Sequence, residues 1–182
     1  MKYKNICIII AACCSMIFFD SCKSGRQDLI DKIKSGEEKL FSDSTLQLND
    51  SVARTVLTNY LDFSKKYPED SIAPEMLFKA ADLSNGLQQP QKAIDLYGEF
   101  ISKYPKHPKV AAAVFMQAFL YETVLNDKEK AKAKYEEFIK SYPQHPLVSS
   151  AKASFDQINS GMSDEQLIKM FEQKQDSANK GM

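Results

Sequence analysis

Apolar residues recur along this chain at spacings of three and four, the period of helices with one buried face. Leu29, Ile30, Ile33, Leu40 and Phe41 mark a first helix over Asp28 to Phe41, with Gly36 weakening its middle. Val52, Val56, Leu57, Tyr60 and Phe63 mark a second. Asn49 or Asp50 can cap it, and Tyr67-Pro68 stops it, because the residue before a proline is pushed out of the helical region. Helices are then predicted over about 71–86, 90–103, 108–126, 127–141 and 146–159. Pro74 and Pro90 fall in first turns, where a missing N–H costs nothing, and Asp127 is placed to cap. Ser163-Asp164-Glu165-Gln166 has capping-box form and opens a last helix to about Gln175. Strand-like alternation is absent. The pattern predicts an all-α architecture of antiparallel helices joined by short turns, paired and stacked.

The pattern also repeats. Tyr97, Phe100, Ile101, Tyr104-Pro105, His107-Pro108 and Val110 return 38 residues later as Tyr135, Phe138, Ile139, Tyr142-Pro143, His145-Pro146 and Val148. A weaker copy lies upstream, where Tyr60, Phe63 and Tyr67-Pro68 keep the spacing. Sliding residues 74–112 by 38 gives 13 identities in 39 positions, so one structural unit has been duplicated. Within it Ala80, Ala93, Ala118 and Ala131 let helices approach closely, while Tyr97, Phe100, Tyr135 and Phe138 fill the space between units. A unit of this size cannot bury its own apolar face, so neighbours must stack.

These residues resemble the tetratricopeptide repeat, a helix-turn-helix unit of about 34 residues. Ala93, Tyr97, Phe100 and Pro105 match the pattern of its second helix, as do Ala131, Tyr135, Phe138 and Pro143; Ala118 with Tyr121, and Ala80 with Leu83, match the first. Met76 and Val114 stand where the family has an early Trp. The resemblance implies a short α-α superhelix of about three hairpins closed by a C-terminal capping helix carrying Leu167, Ile168 and Phe171. It also implies an inner groove lined by first helices, here Leu77, Ala81 and Ser84 in one repeat and Phe115, Phe119 and Glu122 in the next. The chain is similar to tetratricopeptide lipoproteins of bacterial envelopes, including the Tol-Pal coordinator, a component of the outer-membrane β-barrel assembly machine and compact lipoproteins of the Bacteroidetes.

The N-terminus agrees with that address. Lys2 and Lys4 precede an almost wholly apolar run from Ile6 to Phe19, too short for a span of roughly 20 residues and suited to a signal peptide. Ser21-Cys22 after such a run resembles a lipobox, although Phe19 stands where that pattern usually has Leu. Cleavage there makes residues 1–21 the leader, Cys22 the lipidated first residue and 22–27 a tether, followed by a repeat domain over 28–175 and a frayed tail at 176–182. Ile10-Ala11-Ala12-Cys13 is the alternative cleavage site. All four cysteines, Cys7, Cys13, Cys14 and Cys22, lie in this region, and a thiol-free body suits an oxidising compartment. Lys23 is unlike the Asp that retains many such lipoproteins at the inner membrane, so the expected address is the periplasmic face of the outer membrane.

Composition narrows the function. The 24 basic and 24 acidic residues balance and no basic block interrupts the body, which argues against nucleic-acid binding. Without Lys2, Lys4 and Asp20 the charges become 22 and 23, so attachment to a membrane falls to the lipid chains rather than to electrostatics. His107 and His145 invite a metal reading, but equivalent residues of stacked repeats lie about 10 Å apart, too far to share one ion, and they read as turn residues at helix starts. With no triad signature, phosphate loop or singled-out carboxylate pair, the sequence predicts no enzyme, cofactor or small-molecule substrate. The expected role is a scaffold binding an envelope protein or peptide. The alternatives are a chaperone-like groove for outer-membrane segments and an accessory subunit of an envelope enzyme.

Overall fold

The computed structural model describes residues 25–41 and 49–161, together with helical positions 166 and 169. The leader with Cys22, the stretch 42–48, the cap residues Leu167, Ile168 and Phe171, and the tail 176–182 lie outside the described residues. The described chain is helical, with no strand: α1 spans 25–41, α2 Asp50–Lys66, α3 Ala73–Gly86, α4 Pro90–Lys103, α5 Val110–Thr123, α6 Lys128–Ser141 and α7 Val148–Ser160.

The caps are those the sequence marks. Asn49 accepts the Val52 N–H at 3.2 Å and Asp127 the Lys130 N–H at 3.1 Å, each satisfying a donor left over in the first turn. Pro74 occupies the first turn of α3. Gly161, at φ 64°, ends α7 in the left-handed conformation that glycine adopts without a steric penalty. Two helices begin later than the prolines suggest, at Val110 and Val148 rather than Pro108 and Pro146. The reason is a second turn in the connector: the Val110 N–H bonds the His107 carbonyl at 3.0 Å, and the Val148 N–H bonds that of His145 at 2.9 Å. Helix α5 also ends early, and Asn126, at φ 51°, turns the chain into α6.

The chain divides into two compact units, Met1–Leu96 and Tyr97–Met182. In the first, α2 packs on α3, and Val56, Leu57, Tyr60 and Phe63 are buried alongside Ala73, Met76, Leu77 and Ala80. Leu29, Ile33 and Leu40 of α1 are buried as well. The backbone of α1 comes so close to α2 that a Cβ on Gly36 would lie 2.6 Å from Cγ2 of Val56, which explains why this helix tolerates a glycine in its middle.

In the second unit, α6 packs against both α5 and α7. Its core gathers Val114, Ala118, Ala131, Tyr135, Phe138 and Ala151. Phe115 joins it edge-on, its ring 5.7 Å from that of Tyr135 and 5.5 Å from that of Phe138.

Of the residues predicted to pack the repeats, Ala80, Ala93, Tyr97, Phe100, Ala118, Ala131, Tyr135 and Phe138 are buried, and Tyr121 is partly buried. Pro105 and Pro143 are exposed. Their part is to set the backbone where a helix stops, not to supply contact area.

Candidate functional site

The duplicated connector was the first candidate for chemistry, and its geometry is that of a joint. Each second helix closes with a backbone bond from Tyr104 to Phe100 or from Tyr142 to Phe138, both 2.9 Å. The Nδ1 of His107 accepts the Lys109 N–H and that of His145 accepts the Leu147 N–H, both at 3.2 Å. Each imidazole stands edge-on to the buried phenylalanine of its own repeat, at 5.2 Å from Phe100 and 5.3 Å from Phe138. The histidines are therefore held as turn acceptors against an aromatic floor. Among the described residues no cluster of three or more His, Cys, Asp or Glu side chains could hold a metal ion.

The upstream copy has the same joint in different chemistry. The Tyr67 N–H bonds the Phe63 carbonyl at 2.9 Å, and Asp70, at the position of the histidines, accepts the Ile72 N–H at 3.1 Å. Its carboxylate also accepts from Nε and Nη2 of Arg26, one oxygen each, which fastens the start of α1 to the α2–α3 connector. Those bonds from Arg26 hold the Asp70 carboxyl below its ordinary range. Sequence reading missed Asp70, because the Tyr-Pro match was followed only to Pro68; extending the alignment by two residues would have found it.

The expected groove is only partly open. Leu77, Ala81 and Ser84 show no exposed surface, and the Ser84 hydroxyl donates to the Ala80 carbonyl at 2.7 Å. This corrects the expectation that they line a groove: spaced four and three apart, they share one stripe of α3, and that stripe faces the interior. In α5, Phe115 packs into the core, and Glu122 accepts the Tyr135 hydroxyl at 2.6 Å. Phe119 remains 40% exposed, followed by exposed Val124 and Leu125 at the turn. An apolar surface at the end of α5 is what survives of the predicted groove.

A second candidate was not foreseen. Within the first unit, α1, α2 and α3 enclose a broadly open pocket of about 670 Å³. Its walls carry Leu40, Phe41 and Leu83, and its floor is a hydrogen-bonded trio in which Oε1 of Glu37 accepts from both the Tyr60 hydroxyl and the Lys79 ammonium, the latter at 2.7 Å. Burial alone would raise the Glu37 pKa, but the bonds from Lys79 and Tyr60 and the charge of Lys79 outweigh it and leave the carboxyl lowered. Tyr60 moves the other way: burial, its bond to Glu37 and the charges of Glu37, Glu75 and Asp82 all hold the phenol protonated. Tyr135, its equivalent in the repeat, is raised by burial and by Glu122. Tyr60 and Tyr135 thus share one device, a deep phenol donating to a half-buried carboxylate. The pocket escaped the sequence because its residues come from three helices with no spacing in common.

Comparison with known proteins agrees with the repeat geometry. Residues 75–107 and 112–145 each match the tetratricopeptide-repeat family, so these two segments are similar to tetratricopeptide repeats. No curated protein matches the chain at a significant level. Repeats of this kind bind protein partners.

Proposed function

We propose that the protein is a lipid-anchored scaffold which presents its helical repeats to another protein of the cell envelope, from the periplasmic face of the outer membrane, and which works by binding rather than catalysis. The observation that carries this reading is a basic start and an apolar run followed by Cys22, joined to a thiol-free body of duplicated helical hairpins. Two or more acyl chains on Cys22 would hold a nearly neutral body at a membrane that its own charges would not bind. The exposed Phe119, Val124 and Leu125 support a partner surface in the second unit.

Two measurements test the reading. Metabolic labelling with a radioactive fatty acid should mark the wild-type chain and not Cys22→Ala; label that persists in the variant overturns the anchor. A photo-crosslinking residue at position 119 should capture one reproducible envelope protein in intact cells. Capture from other surface positions with none from 119 would move the partner off this surface.

A further inference from the structure

We propose that the pocket enclosed by α1, α2 and α3 receives a peptide segment of a partner protein in which a large apolar side chain is followed by a lysine or arginine. The proposal rests on the scaffold reading for the existence of a partner, and on the pocket itself for what that partner must carry.

Size and wall chemistry argue for the apolar anchor. A space of about 670 Å³ falls within the usual range for ligand sites. Leu40, Phe41 and Leu83 give it apolar walls, and Phe41 is left 78% exposed at its edge, where a large apolar residue gains nothing unless something covers it. The opening argues for a peptide over a free small molecule. A site this broadly open cannot bury most of a small ligand's surface, whereas it can hold one side chain of a longer chain that runs on past it.

Charge argues for the basic neighbour. Glu37, Glu38 and Asp82 line the pocket against Lys34 and Lys79, and the charge of Lys79 is already committed to Glu37. Both internal bonds to Glu37 fall on Oε1. Among the described residues Oε2 of Glu37 makes no hydrogen bond, nor does any ion pair engage Glu38, so carboxylate oxygens fixed beside an apolar wall are available to a cationic donor. Of the two lysines that line the pocket, Lys34 is the one not committed to Glu37, and it is exposed. Removing its charge should therefore sharpen the preference rather than abolish it.

The test uses the full chain in non-ionic detergent micelles with methyl-labelled leucine, titrated with acetyl-Phe-Arg-amide, acetyl-Phe-Glu-amide and acetyl-Ser-Arg-amide. The Leu40 and Leu83 methyl resonances should shift and saturate with the Phe-Arg probe, about tenfold more tightly than with either of the others. Phe41→Ser, a change at an exposed site, should weaken that binding, and Lys34→Glu should strengthen it. Unmoved Leu40 and Leu83 resonances at millimolar probe overturn the proposal, and so does equal or tighter binding of the Phe-Glu probe. An unchanged affinity in both variants does the same. A flat titration leaves the scaffold reading untouched, since that reading stands on the Cys22 label and the crosslink from position 119.

Discussion

At the scale of single residues, the connectors show one geometric task done by two side-chain types. His107 and His145 offer Nδ1 to the N–H two residues on, and Asp70 offers Oδ1 to the equivalent N–H while also holding Arg26. Asp70→Ala loses both functions and is expected to cost about 1–3 kcal/mol. Asp70→His should recover the turn bond but not the ion pair, and so fall between the variant and wild type in urea unfolding; equal loss in both would mean that the turn bond contributes nothing. A second test concerns backbone strain. Gln88 has φ 57°, and Asn126, 38 residues on, has φ 51°. Asn tolerates the left-handed region better than Gln, so Gln88→Gly should raise the thermal midpoint, with a gain of up to about 1 kcal/mol, and Asn126→Gly should raise it less. The histidines could be recognised as turn residues from their flanking prolines. Asp70 could not be read in the same way, because the identity that marks the joint had changed while its geometry had not.

At the scale of helices, the helices and their caps were legible because period and capping residues agree in α2 and α6. The open face of the first helices was not. α5 reads Val-Ala-Ala-Ala-Val-Phe-Met and is apolar nearly all round, while α3 buries Ala73, Met76, Leu77, Phe78, Ala80, Ala81 and Ser84 on several sides. In α3 the turned-out stripe is the polar one, Glu75, Lys79 and Asp82, spaced four and three apart; the resemblance places Leu77, Ala81 and Ser84 on the groove, and they lie off that stripe. Gly36 shows the reverse case, a residue that reads as a weakness and proves to be a contact. Gly36→Ala gains about 1 kcal/mol of helix propensity but drives a methyl into the buried, stiff Val56 side chain, for a net expected loss of about 1–2 kcal/mol in thermal or urea unfolding. A stabilised variant would mean that α1 shifts freely on α2.

For the molecule as a whole, acid is expected to act first on α1. Two carboxylates fasten this helix, Asp70 through Arg26 and Glu37 through Tyr60 and Lys79, and both are lowered in the folded state. A lowered folded value means that their stabilisation is complete above the unfolded pKa of about 4 and is lost as pH falls through the folded one. The thermal midpoint should therefore drop as pH is taken from about 5 to about 3. Glu37→Gln should start lower and decline less steeply. Parallel curves for variant and wild type would remove Glu37 from the account.

Asp70 also gives the array a direction. Copying the 38-residue unit reproduces helices, alanine contacts and aromatic floor, but it copies a joint with imidazole, which offers no carboxylate to a terminal guanidinium. A chain lengthened by such duplication would still have a single berth for α1. The protein could grow by adding repeats beyond that berth without ever acquiring a second place to begin.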